Sequence, residues 1–212
     1  MDTEIVRAWV DGWVISRGAA APVEEPWGFT VDVGMPQHVT RHILPSADEA
    51  LVRKLMETIT APGTWLKVFT APETIEPWLA PGWSFDDPGF LMSTSLRPYA
   101  VELPIGYQLR TWSRGDVTRA LILDGDGAFA ARGQVAGAAS RTGYAVFDQI
   151  ETAPAHRRRG LGRVVMHSLA NEALAAGARV GVLGATVDGR GLYESLGWTT
   201  HAPLTGVILV PS

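Results

Sequence analysis

The sequence contains no cysteine, and this absence removes several classes of chemistry at once. Disulfide bonds, metal sites built on thiolates and a cysteine nucleophile are all excluded. The five histidines are scattered and show none of the spacing that is typical of a zinc site. We therefore predict no metal cofactor and no covalent thioester on the enzyme.

Long apolar segments and an excess of charge are also missing. No run approaches the roughly 18 apolar residues that span a bilayer, and the acidic start at 1–4 does not resemble a signal peptide. The formal net charge of −4 argues against a broad nucleic-acid-binding surface. We expect a cytoplasmic protein that has neither a nucleic acid nor a membrane as a partner.

What the chain does contain is enough apolar residues for a sizeable core, since 46% of its 212 residues are hydrophobic. Apolar residues at helical spacing over 3–16 predict an amphipathic helix packed on the body. A capping box at 46–49 predicts a second helix. The rest of the front half is expected to contain strands at 29–33, 65–69 and 90–96, a short helix at 71–79 and a loop through 81–87.

From residue 107 the pattern becomes an antiparallel meander. The turn Asp124–Gly127 between two apolar runs is a typical hairpin signal. Strands are predicted at 107–112, 119–123, 129–139, 144–152, 180–183 and 207–210, with helices from the residues after 160 to Gly177 and at 188–196. These elements predict an α/β protein, with helices on both faces of a mixed sheet.

The most informative stretch is 148–177, which has the pattern of a strand end, a basic glycine turn and a helix. Pro154 ends the strand, and Gly160 and Gly162 allow a ligand to approach the main chain of the turn. Unpaired amides and the positive end of the helix dipole favour a bound anion there. Four arginines add positive charge, namely Arg157, Arg158, Arg159 and Arg163. A pyrophosphate group would fit these features.

The R-x-x-G-x-G pattern of Arg157, Gly160 and Gly162 resembles the acyl-CoA signature of the GNAT N-acetyltransferase superfamily. Two further segments stand in the right order. Ile150–Pro154 is similar to the strand end that precedes the family's turn, and Gly191–Trp198 resembles its LYxxLGF segment.

The resemblance covers about residues 105–212 and departs from the family at two positions. Thr186 stands where the family often has asparagine, and Trp198 replaces the usual phenylalanine. The implied fold is α/β, the GNAT acyl-CoA N-acyltransferase fold with an extra N-terminal lobe. Residues 1–100 would form that lobe, as a degenerate half-GNAT unit or a region that shapes the acceptor pocket, and residues 101–212 would bind acetyl-CoA.

The resemblance also implies how acetyl-CoA, the co-substrate, is bound. The main chain at Ile150 and Thr152 would pair with the pantetheine arm as if with an added strand. The amide near Ile150 would stabilise the charge that develops on the thioester carbonyl. The complete set of expected CoA-binding residues is Ile150, Glu151, Thr152, Arg157, Arg158, Arg159, Gly160, Leu161, Gly162, Arg163 and Thr186.

Two residues are candidates for catalysis. The resemblance places the Tyr193 hydroxyl beside the CoA sulfur, where it would protonate the leaving thiolate as general acid. Asp148 is the candidate base or amine anchor, and regular strand alternation would put it on the same side as Ile150 and Thr152. The alternatives are a tyrosine that only packs and a carboxylate that is only solvated.

The acceptor is less well defined. Tryptophans outside the signature would line an aromatic pocket or pack in the core, namely Trp27, Trp65, Trp78, Trp83 and Trp112. The carboxylates Glu73, Glu76, Asp86 and Asp87 would attract a cationic acceptor or serve only solubility. His156, just before the arginines, is expected to be exposed.

These observations predict an acetyl-CoA-dependent N-acetyltransferase, in which a primary amine of a small molecule or peptide attacks the thioester directly. One alternative is a non-catalytic module of the same fold that binds acyl-CoA as a regulatory signal. A dinucleotide-binding enzyme would have G-x-G-x-x-G after a first strand and an acidic residue about 20 positions on, and it is disfavoured by the strand order and the LYxxLGW segment. The oligomeric state stays open, a homodimer included.

Overall fold

The computed structural model describes residues 2–46, 48–137 and 142–210. Its helices are α1 (Thr3–Arg17), α2 (Glu49–Thr58), α3 (Pro72–Ile75), α4 (Leu161–Ala175) and α5 (Val187–Ser195). Its strands are β1 (Val23–Glu25), β2 (Gly28–Met35), β3 (His38–Leu44), β4 (Trp65–Val68), β5 (Trp83–Phe85), β6 (Gly89–Ser95), β7 (Tyr107–Arg114), β8 (Val117–Asp124), β9 (Phe129–Ala136), β10 (Tyr144–Thr152), β11 (Val180–Thr186) and β12 (Thr199–Leu209).

Across the described residues, these strands form one mixed sheet in the order β1-β2-β3-β4-β12-β6-β11-β10-β9-β8-β7, with β5 beside β12. The pairs β3–β4 and β10–β11 are parallel. The other pairs in the described ranges are antiparallel, among them the meander of β7, β8, β9 and β10. The α/β fold class with a mixed sheet is therefore confirmed.

Helices pack on both faces of this sheet and divide the core into three clusters. The cluster under α4 contains Val165 and Leu169 together with Phe147 and Trp198. The opposite face packs against α1 through Trp9 and other apolar side chains. A third cluster lies between α2 and the strands β3, β4 and β12. The helices on both faces follow directly from the apolar stripes of α1 and α4.

Most predicted elements are present, with changes in their details. Helix α1 begins after Asp2, whose carboxylate accepts a hydrogen bond from the Glu4 amide, and ends at Gly18 in the left-handed conformation. Helix α2 is capped by Asp48, which accepts from the Leu51 amide, so the box starting at Ser46 was wrong. Residues 138 and 139, at the end of one predicted strand, lie outside the described residues.

Three strands were missed. The short β1 and the seven-residue β3 were not predicted, and β5 replaces part of the loop expected through 81–87. The last strand is also longer than expected, since β12 begins at Thr199. Because β12 pairs with β4, β5 and β6, it joins the front strands to the rest of the sheet.

The sheet crosses the boundary that was predicted at residue 100. Strand β6, from the front part of the chain, lies between β11 and β12 from the back part. Helix α1 packs on β9, β10 and β11. The front segment therefore reaches the strands that carry the signature, while the division into 1–100 and 101–212 stays a prediction.

Helix α1 approaches the sheet very closely at Gly12. A Cβ atom placed on Gly12 would lie 2.6 Å from Cβ of Val146 and 3.2 Å from the Ala136 carbonyl oxygen. Glycine in a helix interior normally costs about 1 kcal/mol relative to alanine. Its presence here follows from contact with a branched side chain and a backbone atom, neither of which can move aside easily.

We predict that Gly12→Ala destabilises the protein by about 1–3 kcal/mol, because the added methyl group overpacks the contact between α1 and β10. The matched control is Gly191→Ala in α5, where an added Cβ meets no atom within 4 Å. That change should leave stability equal or raise it by up to about 1 kcal/mol. Urea unfolding of both variants measures the effect, and equal stabilisation by both would contradict the close contact.

Candidate functional site

A groove opens where β10 separates from β11. The two strands are paired only from Tyr144 to Val146 on β10 and from Val180 to Val182 on β11. Beyond this point β10 remains paired with β9 as far as Thr152, and β11 remains paired with β6 as far as Thr186. Each strand is thus held on its outer side while its inner edge has main-chain groups free for another partner.

A β-bulge at Gln149 re-aims the side chains on the inner edge of β10. Gln149 has φ of 54°, its amide donates to the Asp148 carboxylate at 2.9 Å, and the register with β9 shifts between Asp148 and Glu151. Ile150 packs on the α4 side near Gly133, whereas Asp148 bonds to residues of α1. The prediction that Asp148 and Ile150 share a face was wrong, because the bulge interrupts alternation.

The basic turn leads into α4 without any side-chain cap. Gly160 is the N-cap residue with φ of 79°, and no side chain of the described residues caps the first amides of the helix. By contrast, side chains cap the other three helices of nine or more residues: Asp2 in α1, Asp48 in α2 and Thr186 in α5. The amides that begin α4 are therefore open to a ligand, together with the positive end of the helix dipole.

Glycine is favoured at the two positions of the turn for different physical reasons. Gly160 needs its positive φ, although a Cβ there would meet nothing within 4 Å. At Gly162 a Cβ would lie 2.9 Å from Cδ2 of Leu192. Gly162 therefore allows α4 and α5 to approach each other at the groove.

The turn is anchored to the β7–β8 hairpin by a chain of polar side chains. Arg159 donates to the Tyr107 hydroxyl at 3.0 Å, and that hydroxyl lies 3.0 Å from Nδ1 of His156. The other ring nitrogen of His156 lies 3.5 Å from the Asp124 carboxylate. The His156 side chain is only 15% exposed, so the expectation of an exposed histidine was wrong.

All eleven residues expected to bind CoA line one groove of about 1100 Å³. The side chain of Leu161 is buried under α4, so this residue offers the groove its main chain. The groove also has lining residues that sequence reasoning missed, including Glu102, Pro104, His167 and Leu192. His167 lies one helical turn beyond Arg163, and Leu192 belongs to the LYxxLGW segment. Both could therefore have been predicted from the sequence to line the groove.

Tyr193 stands behind the wall of this groove. Its ring is 7% exposed, lies 6.1 Å from the Trp198 ring between centroids, and would contact a Cβ on Gly189, which lines the groove. Burial, and secondarily the negative charge of Asp148, raise the pKa of Tyr193 to about 12. The phenol is therefore protonated, and a hydrogen-bond donor, throughout the physiological pH range.

Asp148 lies outside this groove and is held by α1. Its carboxylate accepts hydrogen bonds from the Ser16 hydroxyl at 2.5 Å and from Nε and Nη2 of Arg17 at 2.6 and 2.9 Å. Ser16 in turn accepts from the Gln134 side chain at 2.6 Å. The side chain of Asp148 is 14% exposed, so it is not simply solvated. The structure thus separates the two candidate catalytic residues from the groove lining while keeping them close enough to interact electrostatically.

A cluster of aromatic rings and cations lies beside Asp148, at the end of α1. The ring of His38 lies 5.8 Å from that of Trp13 and 5.2 Å from that of Trp65 between centroids. The guanidinium of Arg41 lies 3.9 Å over the Trp13 ring. Burial and the neighbouring cations, Arg41 first, lower the pKa of His38 to about 3. Of the other singled-out tryptophans, Trp83 is buried in the core and Trp112 is 45% exposed.

Comparisons with known proteins show a partial match to one family model and a shared fold. Residues 127–203 match the family model described as FR47-like protein, while no curated protein matches the chain in sequence. A GCN5-related N-acetyltransferase from Kribbella flavida is 18% identical with a TM-score of 0.69, over 100% of this chain and 96% of that one. A GCN5-related N-acetyltransferase-like protein from Streptococcus suis is 15% identical with a TM-score of 0.59, over 98% and 99%.

A functionally unknown conserved protein from Staphylococcus epidermidis is similar over 98% of both chains, with 10% identity and a TM-score of 0.60. Such low identities establish the fold. The FR47-like match covers residues 127–203, and the solved structures show that the chain shares the fold of GCN5-related N-acetyltransferases. Among the described residues, no helix is both long and apolar enough to cross a bilayer.

We predict that His38 makes stability fall as the pH is lowered. Its folded pKa of about 3 lies below the unfolded value of about 6.5, so its contribution is complete above pH ~6.5 and is lost progressively toward pH ~3. His38→Gln keeps a hydrogen-bond acceptor that does not titrate. Urea unfolding between pH 7 and 4 should give a shallower decline for this variant, and parallel curves would contradict a half-buried histidine that stays neutral in the folded protein.

Proposed function

We propose that the protein is an acetyl-CoA-dependent N-acetyltransferase. The observation that carries this proposal is the groove itself, in which the uncapped start of α4, the arginines of the turn and the free edges of β10 and β11 face one space. A pyrophosphate would lie on the α4 amides, and the pantetheine would lie along β10 as an added strand. The thioester would then reach the bulge near Ile150.

The role proposed for Tyr193 is to donate a hydrogen bond to the leaving thiolate. Its pKa of about 12 supports donation at neutral pH, because the phenol stays protonated. Complete proton transfer to a thiolate whose conjugate acid has a pKa near 8.5 is unfavourable at this value. We therefore propose that the hydroxyl stabilises the thiolate as the C–S bond breaks, and that the proton lost by the attacking nitrogen ends on the CoA sulfur.

Asp148 is proposed as an anchor for the amine rather than as a strong base. Its carboxylate lies immediately before the bulge, where the amine would attack. Arg17 and Ser16 already donate hydrogen bonds to its two oxygens, which hold the carboxylate in a fixed position. Its negative charge attracts the incoming ammonium, and the amine would lose its proton to water before attack.

The proposed partners are acetyl-CoA and a small-molecule or peptide amine, in the cytoplasm. Neither a nucleic acid nor a membrane is part of the proposal. The reaction needs no intermediate on the enzyme, since the amine attacks the bound thioester directly and the enzyme supplies positioning.

We predict that wild-type protein binds acetyl-CoA but not NADH in calorimetric titration. Arg159→Ala/Gly162→Asp should weaken acetyl-CoA binding at least about 10-fold, because it removes a charge-assisted hydrogen bond and puts a carboxylate at the phosphate position. The control Arg114→Ala changes an exposed arginine at the far end of β7. Equal affinity in the double variant and the control would overturn the assignment of the turn.

For catalysis, we predict that Tyr193→Phe lowers kcat about 100-fold while the Kd for acetyl-CoA stays the same, since only the hydroxyl is lost. The wild-type rate should show no decline from phenol ionisation below pH ~10, given the pKa of about 12. Thiol release across a panel of amines measures both quantities. Acetyl-CoA binding without turnover of any amine would instead favour the non-catalytic module.

A further inference from the structure

Three cations from different elements meet at the end of α1, and we call Arg17, Arg41 and Lys67 the basic cluster. Arg41 is on β3 and Lys67 on the adjacent β4, and Arg17 is the last residue of α1. All three cations lie close enough to His38, which is beside Arg41, to lower the pKa of that histidine. This cluster is separate from the arginines of the CoA turn.

Arg41 is the member of the cluster whose presence is hardest to explain by folding alone. The residue is 9% exposed, yet none of the carboxylates in the described ranges forms an ion pair with it. Its Nε donates to Nε2 of His38 at 3.1 Å, and its terminal nitrogens have no hydrogen-bond partner in the described part of the chain. Those nitrogens are not among the fully buried atoms without a partner in the described residues, so they keep some contact with solvent.

The charges of the cluster leave one positive charge unpaired. Arg17 pairs with Asp148 at 2.6 Å, and Lys67 pairs with Asp86 at 2.7 Å. Burial, followed by the repulsion of Arg17, lowers the pKa of Arg41 to about 9, so this side chain is still charged at neutral pH.

A buried guanidinium without a partner is costly, and an anion supplied by a ligand would remove that cost. The planar fork of arginine fits a carboxylate through two parallel hydrogen bonds. A monoanion matches the single unpaired charge, whereas a phosphate dianion would leave a negative excess. The rings of Trp13, His38 and Trp65 provide a largely apolar surround for the rest of such a ligand.

The basic cluster is connected to the reaction centre through Arg17. This side chain lies 6.0 Å from the Trp13 ring centroid and binds the carboxylate of Asp148, the residue just before the bulge of β10. A molecule whose acidic group sits on Arg41 would therefore extend past Arg17 toward the place where β10 leaves β11. An amine elsewhere in that molecule would arrive at the proposed thioester position.

We propose that the basic cluster binds the carboxylate of the acceptor, so that the acceptor is an amine that also carries one carboxylate, an amino acid or a compound of that class. This inference rests on the proposed acetyl transfer for its biological meaning. The carboxylate site itself can be tested without any turnover. The cation–π contact of Arg41 with Trp13 is then a support that holds the guanidinium in place, not its only reason for being there.

The binding test uses 4-fluorobenzoate and the uncharged 4-fluorobenzamide as probes, observed by fluorine NMR on the full chain. The benzoate should broaden in the presence of wild-type protein and the amide should not. Arg41→Gln should weaken benzoate binding about 10- to 100-fold, which is the usual effect of losing a charge-assisted pair. Arg41→Lys should show an intermediate loss, and Arg114→Gln on β7 should show none.

Three outcomes would overturn the carboxylate site. These are equal broadening of the benzoate and the amide, benzoate binding unchanged in Arg41→Gln, and tighter binding of 4-fluorophenyl phosphate than of 4-fluorobenzoate. The comparison of probes on wild-type protein decides the matter even if the glutamine variant does not fold. Unchanged acetyl-CoA affinity in Arg41→Lys shows that the other site is intact.

The turnover test compares phenylalanine with phenylalaninamide, and β-alanine with its amide, as acetyl acceptors. Within at least one pair, the carboxylate form should have a KM at least about 10-fold lower, and Arg41→Lys should reduce that preference without changing acetyl-CoA binding. Transfer with equal preference for amides would refute the inference while leaving acetyl transfer intact. Absence of acetyl-CoA binding would instead refute the proposed function.

Discussion

The central constraint in this structure is that β10 and β11 stop pairing after three residues. Every other feature of the groove depends on that separation. The outer neighbours β9 and β6 continue to hold the two strands in place, so the inner edges cannot collapse onto each other. The opening is stable because each strand keeps a ladder with its outer neighbour, and beyond the paired residues the inner edges leave main-chain groups that an extended ligand could pair with.

Helix α1 determines what lies on the far side of that opening. It packs tightly against β10 at Gly12, and its end brings Ser16 and Arg17 to Asp148. The same helix places Trp13 under Arg41. The front segment therefore reaches Asp148 and the bulge of β10, where the proposed reaction would take place. Acetyl donor and proposed acceptor would approach from opposite faces of one sheet, with the bulge of β10 between them.

The turn, the helix and the closing segment could be predicted from the sequence, because short-range features determine them. Gly160 and Gly162 mark the turn, the apolar stripe marks α4, and all eleven expected CoA-binding residues line one groove. The bulge at Gln149 could not be predicted, because alternation assumes regular pairing, and a single positive φ at a non-glycine residue leaves no pattern in the sequence. Because the bulge was not predicted, Asp148 was predicted to lie on the wrong face of the sheet.

Strand β3 was missed for a related reason. Its polar residues His38 and Arg41 lie toward α1, where a strand of a globular core would normally carry apolar side chains. The residues that obscured the strand are the ones that form or adjoin the basic cluster. Prediction of a strand from apolar alternation fails here, because charged residues occupy positions that apolar residues would fill in a regular core. Such departures from the sequence pattern are expected at functional sites. The unsatisfied Arg41 could be recognised only in three dimensions.

The position of β12 has a consequence for how the molecule is assembled. This strand is synthesised after the other eleven described strands, yet it lies in the interior of the sheet, paired with β4, β5 and β6. Until it leaves the ribosome, β4 and β6 each expose an unpaired edge, and the strands β1–β4 have no connection through the sheet to β6–β11. Joining these two parts of the sheet is therefore a late event that depends on contacts between residues far apart in sequence.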